Sequence, residues 1–125
     1  IGPFLPHHET PFCGEPAGSV QATLAMLAIT RLTLPQALLP ATTALSSLHP
    51  QGRILGIAAG ANVVMPNLSP QEVRESYHIY DNKRIAGSEA AEGLALLKEE
   101  LSEAGYAVDL SRGDYQRKIV KVIKG

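Results

Sequence analysis

The predicted fold depends on residues Leu38 to Asn67, with the sequence LLPATTALSSLHPQGRILGIAAGANVVMPN. The first part, Leu38–Thr43, is short and apolar and suits a strand. A helix of small residues is predicted at Ile54–Ala59, and Gly60 can supply the left-handed residue that ends it. The continuous apolar run Ala61–Met65 then predicts a strand buried on both faces, as in parallel sheets. The segment therefore predicts a strand, a helix and a second, parallel strand.

The residues before this segment predict a strand, a loop and a helix. Ile1–Leu5 resembles the end of a strand, and the prolines and glycines of His7–Gly18 favour a loop. Ser19 is a suitable N-cap for a helix at Val20–Thr33, and Pro35 prevents that helix from continuing.

The residues after it predict two further helices. Ser69–Glu72 has the pattern of a capping box, with proline at the first helical position, and starts a short helix that reaches about Tyr77. An amphipathic helix is predicted at Glu89–Ala104, with Gly105 as its cap. The segment Tyr106–Leu110 is a candidate for a last strand.

Alternation of strands and helices predicts the α/β class and a parallel sheet. An eight-stranded TIM-type β/α barrel needs about 250 residues, and this chain has 125. We therefore expect half of a (β/α)8 barrel, whose two open sheet edges need a missing half, a second copy of the chain or a strand from its own tail. The start at Ile1, without methionine, favours a piece of a longer protein.

Composition argues against several functional classes. The chain has 11 basic and 12 acidic residues and a net charge of −1, so we expect neither nucleic acid nor an anionic membrane as its main partner. No apolar run reaches the roughly 18 residues that a membrane helix needs. The single cysteine cannot form an internal disulfide, and a cytoplasmic location is the default expectation.

Two polar groups in the first loop are weak candidates for chemistry. His7 and His8 precede Glu9, but neighbouring residues in an extended chain point to opposite sides, so we expect no metal site there. Cys13 lies among prolines and glycines, and the pattern places no histidine beside it, so we expect a bystander and not a catalytic thiol.

Two pairs of residues are better candidates for binding. Thr42 and Thr43 are expected at the carboxyl end of the first strand, where their hydroxyls and nearby backbone N–H groups could bind an anion. The alternative is that they only suit a strand. Tyr77 and Tyr80 share one face of the predicted short helix, and ordinary packing is the alternative role for them.

Several motifs together resemble one enzyme family. They are the run Ile1–His7 (IGPFLPH) followed by Thr10-Pro11, the run Pro40–Ala44 (PATTA), the run Gly60–Asn67 (GANVVMPN) and the pair Tyr77-x-x-Tyr80. The chain is similar in these motifs to the radical S-adenosylmethionine enzymes of the HydE type, which are maturases of FeFe-hydrogenase. The GAN element is shared with biotin synthase and its relatives, and PATTA with VMPN also with the methylornithine synthase group. The resemblance is dense up to about Tyr80, and it implies that residues 1–125 are a C-terminal half barrel of the biotin-and-thiamin-synthesis-associated type.

The resemblance implies S-adenosylmethionine and a 4Fe-4S cluster as cofactors of the full-length protein. The cluster cysteines of that family, in a CxxxCxxC motif, belong to the other half of the barrel, and Cys13 is not one of them. We therefore expect no catalytic residue, no metal ligand and no tightly bound cofactor in this chain, which should be inactive by itself. The expected partners are the N-terminal half barrel and a small-molecule or metal-complex substrate, with a homodimer of the chain as a further possibility.

The resemblance also implies roles for individual residues. Substrate contacts are implied for Thr42, Thr43 and Tyr80, and cofactor contacts for Pro3, Phe4, Leu5, Met65 and Tyr77. Three other functions compete with a HydE-type role in assembling the hydrogenase active-site cluster. They are a stand-alone interaction module without catalysis, an enzyme like biotin synthase or methylornithine synthase, and a half barrel of unrelated chemistry such as phosphate-binding metabolism.

Overall fold

The computed structural model describes residues 1–66, 90–111 and 113–114. These residues form four helices and two short strands, in the order α1 (Val20–Thr33), β1 (Pro40–Ala41), α2 (Thr43–Leu48), α3 (Gly52–Ala58), β2 (Val63–Val64) and α4 (Ala90–Glu103). The described residues are thus a mixture of helix and strand, compatible with a fragment of an α/β fold. None of the helices in them is both long and apolar enough to cross a membrane.

The two strands pair in parallel, which confirms the predicted pairing. Pro40 lies opposite Val63, and Ala41 lies opposite Val64. The ladder is prolonged backwards by Leu39, whose carbonyl accepts hydrogen bonds from the backbone N–H groups of Asn62 (2.9 Å) and Val63 (3.1 Å). In return, the Asn62 side-chain oxygen accepts a bond of 2.8 Å from the Leu39 N–H.

Helix α1 has the predicted limits. The Ser19 hydroxyl accepts a hydrogen bond from the Ala22 N–H and so satisfies one of the free donors at the helix start. Leu27 is buried on the inner side of α1, with Val20 and Leu24 partly buried beside it. The helix ends at Thr33, shortly before Pro35, as predicted.

The connection between the strands differs from the prediction. The strand predicted at Leu38–Thr43 is reduced to Pro40–Ala41, because Thr42 is the N-cap of α2 and Thr43 is already helical. Two short helices replace the single one predicted at Ile54–Ala59. A side chain at Gly52 would overlap the Leu45 carbonyl, so the tight junction between α2 and α3 requires glycine.

The core lies between the helices and the strand pair. Leu27, Leu39 and Leu45 form its centre. A Cβ atom added at Gly56 would lie 3.3 Å from that of Ala41, so α3 packs closely on β1.

Helix α4 forms as predicted and ends at Glu103, one residue before the predicted end. Leu97 and Leu101 are buried, and Gly105 follows the helix with a left-handed φ of 83°. An ion pair between Arg53 and Glu100 joins α4 to α3.

Two predicted strands are absent from the described residues. Ile1–Leu5 has no strand partner there. Its backbone is held instead by a hydrogen bond from the Gly18 N–H to the Phe4 carbonyl. Tyr106–Leu110 is also irregular and ends in a turn, where the Ser111 N–H bonds to the Asp109 carboxylate at 2.8 Å. The backbone and hydroxyl of Ser111 hold the pKa of that carboxyl below its usual range. The helix predicted from Ser69 to Tyr77 lies outside the described residues, as do residues 115–125.

Candidate functional site

The carboxyl ends of β1 and β2 lie at the same edge, which we call the carboxyl edge. Their last paired residues are Ala41 and Val64. Because the strands are parallel and in register, the next residues, Thr42 and Met65, leave the sheet side by side. Met65 is exposed, whereas Thr42 is half-buried. Two of the predicted site positions are therefore brought together by the pairing of the strands.

The N-terminal segment, Ile1–Leu5, lies against the carboxyl edge through Gly2. A Cβ atom added at Gly2 would lie 2.8 Å from the Thr42 hydroxyl oxygen, so the backbone passes directly over the start of α2. Pro3 and Leu5 are half-buried and Phe4 is exposed. The segment predicted to contact a cofactor thus lies next to the residue predicted to contact a substrate.

The first loop holds the N-terminal segment in place. The Gly18 N–H donates a hydrogen bond of 2.8 Å to the Phe4 carbonyl, and a Cβ atom at Gly18 would lie 2.8 Å from the Phe4 nitrogen. The ring of Phe4 meets the ring of Phe12 edge to face, with centroids 6.4 Å apart. Phe4 is therefore positioned by contacts with the loop and not by a strand ladder.

The two threonines have different local environments. The Thr42 hydroxyl caps α2 by accepting from the Leu45 N–H at 3.4 Å, whereas Thr43 is the exposed first residue of that helix. Thr42 therefore has a structural role in addition to the binding role that the sequence predicts. Binding by Thr42 and Thr43 stays a prediction, and Tyr77 and Tyr80 lie outside the described residues.

The histidine pair has a different geometry from the expected one. His7 and His8 lie where a turn begins, with rings stacked 4.5 Å apart, so their side chains do not point to opposite sides and that prediction was wrong. The Nδ1 atom of the buried His7 accepts a hydrogen bond of 3.1 Å from the Glu9 N–H. Within residues 1–66, 90–111 and 113–114, no three histidine, cysteine, aspartate or glutamate residues are grouped as metal ligands, and Cys13 is exposed.

Sequence reasoning missed two residues that support the strand pair. Asn62 bonds to the Leu39 backbone, as described above, and fixes the start of the ladder. Arg31 donates from Nε to the Gly60 carbonyl and from Nη1 to the Pro35 carbonyl, each at 2.8 Å. The signal in the sequence was that Asn62 is a polar residue in an otherwise apolar run and that Arg31 is the one charged residue between Glu15 and Arg53.

The fold and the edge thus define a mixed helix and strand fragment with a parallel strand pair and candidate binding residues at its carboxyl ends. No family model matches the chain. Over 83 residues the chain is 46% identical to the [FeFe] hydrogenase maturase subunit HydE of Thermotoga maritima. The match covers 66% of this chain and 24% of that protein, so the chain spans about a quarter of the length of the curated relative. The similarity supports a relationship to the HydE-type radical S-adenosylmethionine proteins.

Proposed function

We propose that the chain is the C-terminal half barrel of a HydE-type radical S-adenosylmethionine enzyme and contributes to assembly of the FeFe-hydrogenase active-site cluster. In this proposal its carboxyl edge forms the substrate and cofactor side of the barrel cavity. The observation that carries the proposal is the 46% identity to HydE over 83 residues.

The arrangement of the edge supports this function. Active sites of β/α barrels lie at the carboxyl ends of the strands, and here that edge joins Thr42, Met65 and the segment that includes Phe4. Substrate contacts by Thr42 and Thr43, and contributions from Tyr77 and Tyr80, are part of the proposal.

The exposure of large apolar side chains supports a half barrel whose open side is covered by another part of the protein. Among the residues that the structure describes, only Leu27 and Leu45 are large side chains with less than 2% exposure. Large apolar side chains that are more than half exposed include Phe12, Leu32 and Met65. Extensive exposed apolar surface is typical of an interface, which is what the open side of a half barrel provides.

The two implied cofactors fit this chain differently. A 4Fe-4S cluster of this kind needs three cysteine thiolates, and the chain has one cysteine, so the cluster belongs to the other half of the enzyme. The exposed apolar atoms of Phe4 (46%) and Met65 (55%), with Pro3 and Leu5 nearby in sequence, suit contact with an organic cofactor. S-adenosylmethionine, bound in the complete enzyme, supplies a 5′-deoxyadenosyl radical.

A chimera tests the proposal. The segment of Thermotoga maritima HydE that matches this chain is replaced by this chain, and the chimera is reconstituted anaerobically. We expect it to form 5′-deoxyadenosine from S-adenosylmethionine and to support maturation of FeFe-hydrogenase, whereas the 125-residue chain alone should do neither. HydE with the same segment deleted is the matched control.

The results also separate the competing functions. A folded chimera that holds its cluster but forms no 5′-deoxyadenosine contradicts the proposal and favours an interaction module. Formation of 5′-deoxyadenosine without maturation favours an enzyme that resembles biotin synthase or methylornithine synthase.

A further inference from the structure

Phe4 and Phe12 form an aromatic corner next to the carboxyl edge. Their ring centroids lie 6.4 Å apart and their planes are inclined at 81°, which is the edge-to-face arrangement. The protein covers neither residue fully, since Phe4 is 46% exposed and Phe12 is 59% exposed. Phenylalanine is more often buried, so two exposed rings in contact offer an apolar surface of defined shape. We call these two residues the aromatic corner.

The loop that carries Phe12 is closed at its base. The Gly18 N–H donates to the Phe4 carbonyl at 2.8 Å, so residues 5–17 leave the body of the protein and rejoin it at one place. Compact loops with adjacent ends are frequently functional. This loop follows the segment whose Gly2 lies against the carboxyl edge, which is the active-site side of a β/α barrel.

Hydrogen bonds inside the loop hold Phe12 in place. The Cys13 N–H donates to the Thr10 carbonyl at 3.1 Å, and the Glu15 N–H donates to the Phe12 carbonyl at 3.0 Å. Thr10 is itself fixed, because its N–H and its hydroxyl both donate to the carbonyl of the buried His7, at 3.1 and 2.9 Å. A ligand that contacts Phe12 therefore binds to a loop that is already ordered, which lowers the free-energy cost of binding.

The charges in this part of the chain favour a flat, uncharged group over a phosphate. From Ile1 to Thr30 the chain has two carboxylates, Glu9 and Glu15, and no lysine or arginine. A phosphate would meet no cation from these residues, whereas the face of a nucleobase needs only an aromatic ring on which to stack. The aromatic corner therefore suits the base of a nucleoside that carries no phosphate.

We propose that the aromatic corner binds the adenine ring of S-adenosylmethionine, which makes Phe12 a further cofactor contact. This inference rests on the proposed function. Two rings inclined at nearly a right angle accept a flat ring that stacks on one of them and turns its edge to the other. S-adenosylmethionine is a nucleoside with a sulfonium group and no phosphate, in agreement with the charges of residues 1–30.

Affinity measurements on the HydE chimera test the aromatic corner. Phe12→Ala removes the ring, Phe12→Tyr keeps it, and Leu32→Ala is the matched control at an exposed apolar position on α1. Binding of S-adenosylmethionine and, separately, of 5′-deoxyadenosine is followed by anaerobic calorimetry, and circular dichroism checks that each variant is folded. We expect Phe12→Ala to weaken binding of both ligands by about tenfold, because a base loses the ring on which it stacks. Phe12→Tyr and Leu32→Ala should bind both ligands as the unchanged chimera does.

The two ligands and the variants separate the other outcomes. Unchanged affinity of Phe12→Ala for both ligands removes the aromatic corner and leaves the proposed function intact, and a simultaneous loss of stability assigns Phe12 to packing. A loss of affinity that is confined to S-adenosylmethionine overturns the assignment to adenine, because 5′-deoxyadenosine carries the same base. A loss that is equally large in Phe12→Tyr overturns the stacking role.

Two further results have a clear meaning. If Phe12→Ala does not fold, Phe12→Leu replaces it, with weaker binding of both ligands as the expected result and unchanged binding as the result that overturns the inference. A chimera that holds its cluster but binds no S-adenosylmethionine, with Phe12 unchanged, contradicts the proposed function itself.

Discussion

At the scale of single residues, Gly60 shows how one backbone position supports the site. Its φ of +117° is disfavoured for other residues, and an added Cβ atom would lie 2.7 Å from that of Arg31. We expect Gly60→Ala to lower the free energy of unfolding by more than ~1 kcal/mol, because the strained backbone and the overlap with Arg31 both destabilise the folded state. Gly105→Ala is the control, since its φ of +83° brings strain but no atom lies within 4 Å. In urea unfolding, equal losses for both variants would contradict a contact role for Gly60.

Thr42 and Thr43 give a second prediction at this scale. Only Thr42 caps α2, whereas both residues are proposed to bind the substrate, so the two roles can be tested separately. Thr42→Val should lower the free energy of unfolding by about 1 kcal/mol, because α2 loses its N-cap. Thr42→Ser should keep both the cap and the stability. Thr43→Val removes no cap. If both hydroxyls bind an anionic substrate, each bond is worth about 1.5–3 kcal/mol, so the double valine change should lower maturation activity of the chimera by roughly two orders of magnitude. Unchanged activity with weakened folding would leave the threonines as structural residues.

At the scale of elements, the strand pair depends on the Asn62 side chain. The ladder has only two residue pairs, and Asn62 prolongs it by accepting from the Leu39 N–H at 2.8 Å. Asn62→Ala leaves that donor without its acceptor, and we expect a loss of about 1–3 kcal/mol. Hydrogen exchange of the Leu39 amide should accelerate in this variant and remain slow in Asn62→Asp, which keeps an acceptor oxygen. Slow exchange in Asn62→Ala would show that the backbone pairing suffices.

At the scale of the whole molecule, the chain has too few thiolates for an iron–sulfur cluster. It contains one cysteine, Cys13, which is exposed. After anaerobic reconstitution we expect no stoichiometric 4Fe-4S cluster on the 125-residue chain, because such a site takes three cysteines. Iron counting and EPR provide the measurement, with the HydE chimera as the positive control. One cluster per monomer of the chain would contradict the assignment of the cluster to the other half.

Exposed apolar surface gives a second prediction at this scale. Large side chains such as Leu32 (81% exposed) and Phe12 (59% exposed) favour association when the other barrel half is missing. We expect light scattering across a dilution series to show self-association of the 125-residue chain and a monomeric chimera. A monomeric chain at all concentrations would show that its open surfaces are tolerated in water.

Signals that act over a few residues made the helices predictable. The Ser19 cap fixed the start of α1, and Gly60 and Gly105 have the expected left-handed conformations. The amphipathic pattern predicted α4, in which Leu97 and Leu101 are buried. The motifs from Ile1 to Tyr80 also carry a resemblance to the HydE type, which the 46% identity to HydE supports. The caps and the helix spacing depend on side chains within one or two helical turns, so the sequence alone determined them.

The geometry of the strand pair and of its carboxyl edge was decided by the tertiary structure. The Asn62–Leu39 bond joins residues 23 apart in the chain, and the Arg31–Gly60 bond joins residues 29 apart. Thr42 suits a strand and a helix cap equally well, and it caps α2 where β1 ends its pairing with β2 and where the distant residue Gly2 passes close to its side chain. Local propensity cannot choose between such alternatives, because the free energy that separates them comes from contacts between distant segments.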